Sequence, residues 1–95
     1  MNDPSPRYRL RSSTRFRTVL DEGLALDQET ARLHVLNPAA AVILEALTTG
    51  PRSVSELVER VLEAFEAEPA SVRRDVEAFL GEAIAEGLVE AIQER

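Results

Sequence analysis

From Gly23 to Pro38 the chain reads Gly-Leu-Ala-Leu-Asp-Gln-Glu-Thr-Ala-Arg-Leu-His-Val-Leu-Asn-Pro, and no other stretch restricts the fold as tightly. Two apolar runs, Leu24 to Leu26 and Leu33 to Leu36, flank the polar Asp27-Gln28-Glu29-Thr30. Leucine and valine suit a pleated, half-buried surface and aspartate suits a turn, so the stretch predicts two strands joined by a polar turn. The Asn37-Pro38 step then converts strand to helix at once. Asn37 can cap with its side-chain oxygen, and Pro38 brings a preset φ to the first helical position, where a missing N–H costs nothing.

Upstream, Phe16, Val19 and Leu20 predict a first strand over Arg15 to Leu20, with Asp21-Glu22-Gly23 as a tight turn into the second. A three-stranded meander results. Residues 1–14 hold two prolines, three serines and alternating arginines, the composition of a flexible N-terminal segment. Within it, Arg7-Tyr8-Arg9-Leu10-Arg11 fits either a short edge strand with Tyr8 and Leu10 facing inward or a solvated basic tail.

Three helices follow. Ala40, Ile43, Leu44 and Leu47 fall on one face of a helix from Pro38 to Thr49, ended by Gly50-Pro51. Ser53-Val-Ser-Glu56 is a capping box, and it opens a second helix whose apolar stripe is Val54, Leu57, Val58, Val61, Leu62 and Phe65. The third helix begins at Pro69 or Ser71 and ends at Gly87, with Val72, Val76, Phe79, Leu80, Ala83 and Ile84 as its stripe. At about 100° per residue, Leu80 and Ile84 lie on one edge of that stripe with Arg73, and Asp75, Glu82 and Glu86 on the other. Gly81 lies opposite the core with Arg74, Ala78 and Ala85, a small-residue face open either to solvent or to a partner. Leu88 to Ile92 reads as a short extended segment, the wing of a winged helix. The predicted fold class is therefore α+β: a winged helix-turn-helix-like domain with a three-stranded antiparallel sheet followed by three helices.

Composition excludes most chemistry. Ninety-five residues support one modest core, and with only four aromatics that core must be Leu, Val, Ile and Ala. The absence of cysteine removes disulfides, thiolate metal sites and cysteine nucleophiles. One histidine, His34, is too few for a zinc or other transition-metal site, and neither a Gly-x-Ser-x-Gly nor a phosphate-binding glycine loop is present. No catalytic role, metal or cofactor is expected. With no apolar run long enough to cross a bilayer and no signal-peptide pattern, a soluble cytoplasmic protein with no membrane partner is expected. The net charge of −6 is uneven: residues 1–20 carry five arginines against one aspartate, a surplus of four positive charges, and the rest of the chain has a surplus of ten negative charges. An acidic body repels nucleic acid, so no nucleic-acid partner is expected.

Taken in order, Glu22-Gly-Leu-Ala-Leu-Asp27, Leu36-Asn-Pro-Ala-Ala40, Leu47-Thr-Thr-Gly50, Ser53-Val-Ser-Glu-Leu57 and Val72-Arg-Arg-Asp-Val76 through Phe79-Leu80 to Glu86-Gly-Leu-Val89 resemble the PqqD family. The resemblance covers residues 15–92, which it marks as a peptide-recognition domain, and the arginine-rich N-terminus departs from it by its length. It implies a non-catalytic protein, the stand-alone recognition element of ribosomally synthesised, post-translationally modified peptides (RiPPs). Such an element binds the leader of a precursor peptide and brings it to a modifying enzyme, such as a radical SAM enzyme or a leader peptidase. It also implies that the leader adds as a strand to the Arg32–Leu36 strand, in a groove walled by the third helix.

Physical reasoning is consistent with that role. An open strand edge offers unpaired N–H and C=O groups that an extended peptide can complete. Four or five such bonds at about 1 kcal/mol net barely offset ordering five residues at about 1–2 kcal/mol each. Side-chain pockets must supply the affinity, at about 1.5–3 kcal/mol for each buried apolar residue. The candidate peptide-binding residues are accordingly Arg32, Leu33, His34, Val35 and Leu36 on the strand, with Val76, Leu80 and Ile84 opposite Leu33 and Val35, and Arg73 placed to pair with an acidic leader residue. Val76 and Leu80 also fit plain core packing. His34 fits either a half-buried or exposed, hydrogen-bonded imidazole or a leader contact, which would make binding depend on pH. Two other functions compete with this one, the first because it shares the fold class. A winged-helix DNA-binding regulator would present Arg, Lys, Asn or Gln from its third helix, whereas here Arg73 and Arg74 stand against Asp75, Glu77, Glu82 and Glu86. A generic dimerisation module, including a domain-swapped homodimer through the same edge, is the other.

Overall fold

Nine elements follow one another in the computed structural model, which describes residues 6–92. They are β1 (Arg7–Leu10), β2 (Thr14–Val19), β3 (Glu22–Asp27), β4 (Arg32–Leu36), α1 (Pro38–Leu47), β5 (Arg52–Ser53), α2 (Val54–Ala64), α3 (Pro69–Ala85) and β6 (Val89–Ile92). The predicted meander is present as an antiparallel sheet ordered β2-β3-β4, and the three helices follow it. A second antiparallel sheet, ordered β5-β1-β6, was not foreseen.

That second sheet corrects the reading of the N-terminus. Arg7–Leu10 is a strand and not part of a flexible tail: it pairs with β6 from Arg7↔Ile92 to Leu10↔Val89, and with β5 on its other side. Residues 1–5, the rest of the segment expected to be flexible, lie outside the described residues. Pairing on both sides and the packing of Tyr8 and Leu10 against the core dock this segment, and its arginines each meet acid from the body. Arg7 reaches Glu56 at 3.0 Å, Arg9 reaches Glu90 at 2.6 Å, and Arg11 stands 3.9 Å from Glu29. The predicted wing is β6, the partner of this strand.

The turn between β2 and β3 also differs. It is the two-residue Leu20-Asp21, with φ of 50° and 70°, so both central residues adopt the left-handed region of a type I′ hairpin. Glu22 and Gly23, expected in the turn, already belong to β3. Gly23 is required for another reason: a Cβ there would stand 2.6 Å from the Cβ of Ala41, so α1 lies directly on this strand.

Helix ends follow the local signals. Asn37 Oδ1 accepts the Ala40 N–H at 2.8 Å, with Pro38 in the first turn. The capping box is complete: Ser53 Oγ accepts from Glu56 N at 3.2 Å, and Glu56 Oε1 accepts from Ser53 N at 2.9 Å. Phe65 is not part of the α2 stripe; it caps the helix in extended conformation and is 38% exposed. Gly87, at φ +79°, ends α3 in a Schellman motif, with Gly87 N–H donating to Ile84 O and Leu88 N–H to Ala83 O. Leu44, Leu57, Val76, Leu80 and Val89 are fully buried where the helices meet Ala25 of the meander.

Two outcomes test this account. Gly23→Ala should lose about 1–3 kcal/mol of stability in urea denaturation, and an unchanged midpoint would contradict the tight contact with Ala41. The Ser53 backbone N–H holds the Glu56 carboxyl below its ordinary 4.5; burial opposes it, and Arg7, the Ser53 hydroxyl and Arg52 add to the lowering. A lowered carboxyl stabilises the fold above its ordinary value and loses that contribution as pH falls through the folded one. Glu56→Gln, which keeps a capping side chain, should therefore lose less stability between pH 7 and 3 than the natural protein.

Candidate functional site

β4 is bonded to β3 on one side only, so among the described residues its other backbone edge has no strand partner. Arg32–Leu36 is five residues long, roughly 17 Å of open edge at about 3.4 Å each. The turn that delivers it is fixed by Asp27, whose Oδ1 accepts the Glu29 N–H at 2.9 Å, and by Ala31 in the left-handed region at φ 60°. Burial raises the Asp27 carboxyl, but the Glu29 N–H, the Thr30 hydroxyl and N–H, and Arg11 more than reverse it, so it lies below its usual range.

Side chains alternate across the strand. Leu33 and Val35, 60% and 67% exposed, lie on the outer face beside Leu26 and Leu24 of β3. The same face carries Arg15 and Arg17 of β2, paired with Leu26 and Leu24. His34 and Leu36 point the other way, over Ala25 and Gly23. The His34 ring is half-buried, and among the described residues its Nε2 has no hydrogen-bond partner, unlike the expected hydrogen-bonded imidazole.

Beside β4, on its inner side, two adjoining concavities form a groove. One of about 340 Å³ is lined by His34, Val35 and Leu36 of β4, by Asn37 and Ala40, and by Phe79, Glu82, Ala83 and Glu86 of α3. The other, about 290 Å³, continues between α1 and α3 past Ala40, Ile43, Val72, Asp75, Val76, Phe79 and Glu82. Asn37, Ala40, Phe79 and Glu82 line both. Arg32 Nη1 reaches across to Glu86 Oε2 at 3.5 Å.

The α3 flank in this groove is the reverse of the expected one. The sequence predicts Val76, Leu80 and Ile84 opposite Leu33 and Val35, with Arg73 beside them. Phe79, Glu82, Ala83 and Glu86 stand beside β4 instead. Arg73 faces α2 and β1: its side chain lies 3.5 Å from Ser55 Oγ and 3.9 Å from Glu77, in a small concavity shared with Tyr8 and Val54. Ile84 is 42% exposed and lines neither part of the groove. Val76 and Leu80, 1% and 2% exposed, are core residues; Val76 forms part of the groove floor. Phe79, half-buried, belongs to the predicted apolar stripe and adjoins its Asp75, Glu82 and Glu86 edge on the helical wheel.

Among the described residues no group of three or more His, Cys, Asp or Glu side chains is arranged to hold a metal, and no helix is long and apolar enough to cross a membrane. Leu80→Ala should cost about 2–5 kcal/mol, and Ile84→Ala no more than about 0.5 kcal/mol. Equal losses in thermal or urea unfolding would contradict the placement of these two side chains.

Three comparisons bear on this architecture. The family model described as coenzyme PQQ synthesis protein D (PqqD) matches residues 22–89. No curated protein matches the sequence significantly. The fold is similar to that of TbiB1 in complex with the TbiA(beta) leader peptide, with a TM-score of 0.77 and 21% identity over 86% of this chain and 94% of that one. It is likewise similar to a lasso peptide synthetase B1 complexed with its leader peptide, at TM-score 0.74 and 23% identity over 87% of this chain and 96% of that one. A third similar structure is the solution NMR structure of the PqqD truncation of Methylobacterium extorquens PqqCD, a stand-alone RiPP recognition element. Its TM-score is 0.75, at 22% identity over 93% of each chain.

Proposed function

Because the chain belongs to the PqqD family, we propose that it is a non-catalytic recognition protein that captures the leader of a ribosomally made precursor peptide as an added strand on β4 and presents it to a modifying enzyme. The observation that carries this reading is the vacant β4 edge lying directly beside a groove with an apolar floor. Backbone pairing alone is too weak, and the groove supplies the missing burial: Ala40, Ile43, Val72, Val76 and Phe79 offer contact to alternate side chains of an extended chain. Two of the proteins that share this fold hold leader peptides, which supports the same use of the edge here.

Arg32, Leu33, His34, Val35 and Leu36 are the strand residues of this interaction, and Val76 contributes to the floor from the core. In this reading Phe79, Glu82, Ala83 and Glu86 take the place of Arg73, Leu80 and Ile84 as the helix wall. The second partner is the modifying enzyme, of the radical SAM or leader peptidase kind, working in the cytoplasm where precursor peptides are made. The outer face of Leu24, Leu26, Leu33 and Val35 with Arg15 and Arg17 is the surface left for it once edge and groove are filled.

Exposed Leu33 and Val35 also favour a second reading, self-association into a homodimer through this sheet. Sedimentation across a concentration series separates the two, because a leader-binding monomer keeps a constant mass. For the main reading, titration with a candidate leader peptide by NMR should move the amide signals of residues 32–36 together with those of Phe79 and Glu82. Shifts confined to other elements would overturn it.

A further inference from the structure

The groove has an apolar floor but an acidic wall. Glu82 lines both of its parts, Asp75 lines the part between α1 and α3, and Glu86 lines the part beside β4. Glu86 is already engaged by Arg32. Asp75 and Glu82 make no ion pair or side-chain hydrogen bond among the described residues. The nearby arginines of α3 do not neutralise them, since Arg73 is turned to Glu77 and Ser55 and Arg74 lies 3.4 Å from Ser71 Oγ.

We infer that the leader peptide recognised here is basic at the groove, carrying an arginine or lysine at the inward-facing position that meets Glu82, with Asp75 as the second carboxylate. This inference rests on the strand-addition reading and names the chemistry of its ligand. A long cationic side chain satisfies both halves of the site. Its methylene stem lies on Ala40 and Phe79 while its charged head reaches the carboxylates. An acidic leader residue, the partner first expected through Arg73, meets like charge at Asp75 and Glu82 instead. On an extended peptide, inward-facing positions recur every second residue, about 7 Å apart, so the basic residue alternates with residues directed to the outer face beside Leu33 and Val35.

A random peptide library displayed on phage, panned against the full chain, tests this without knowledge of the natural leader. Peptides it selects should share a basic position. Synthetic copies with that residue changed to alanine should bind roughly three- to tenfold more weakly, and raised salt should reduce the difference. Glu82→Gln should erase the preference, and Glu82→Lys should reverse it toward acidic peptides, a gain that a merely unfolded variant cannot give. Selected peptides that move the amide signals of residues 32–36 but show no basic preference, or keep it in both variants, would overturn the inference while leaving strand addition standing. A selection yielding no peptide that touches β4 would overturn both.

Discussion

The carbonyl of Leu88 holds the two sheets in register, and the availability of β4 follows from that. It accepts the Arg11 N–H at 3.0 Å and the Thr14 hydroxyl at 2.9 Å, and Thr14 is buried. The same residue's N–H closes the end of α3 on Ala83. One residue, through the two peptide groups on either side of its Cα, thereby joins the N-terminal strand, the start of the meander and the last helix. A buried donor or acceptor left unmade would cost about 1–3 kcal/mol, so the junction has little freedom to rearrange. Its effect is topological. It commits β1 to β6, and the segment that could otherwise have covered β4 is used elsewhere.

The rest of the architecture keeps that edge rigid while leaving it vacant. α1 starts immediately after β4 through the Asn37 cap and lies against β3 at Gly23, fixing the strand from its end and through its neighbour. α3 forms the far wall of the groove, anchored by Val72, Val76, Leu80 and Ala83 in the core. A ligand that adds to a preformed edge orders only itself, which limits the entropic cost of binding. On the proposed reading, affinity and the choice among peptides would then depend on a few side chains in the groove.

Features fixed by residues close in sequence were legible from the sequence; those fixed by distant contacts were not. The Asn37-Pro38 start, the Ser53–Glu56 box and the meander of Leu24–Leu26 with Leu33–Leu36 are local, and each is present. The pairing of Arg7–Leu10 with Val89–Ile92 joins opposite ends of the chain, with Tyr8 and Leu10 packed on the core and Arg9 meeting Glu90, contacts that no local pattern reports. The turn at Leu20-Asp21 was hidden because leucine gives no signal for positive φ, while Gly23 gave one for the wrong reason. The side of α3 that adjoins β4 was not legible for a related reason. The helical wheel separates Arg73 and Ile84 from Glu82 and Glu86 but cannot say which side adjoins β4, and the more apolar side turned out to lie away from it. The one sequence clue was the single arginine on the strand, Arg32, whose partner Glu86 belongs to the acidic side.

The meander has two margins, and they are not alike. β2, at the far side from β4, carries Arg15 and Arg17, exposed cations of the kind that discourage edge-to-edge pairing. β4 has only Arg32, at its beginning. The sheet can therefore grow in one direction and by one increment, since a guest on β4 meets no second invitation across the molecule. Stacking of copies into a ribbon is disfavoured by the same arrangement that leaves room for a single added strand.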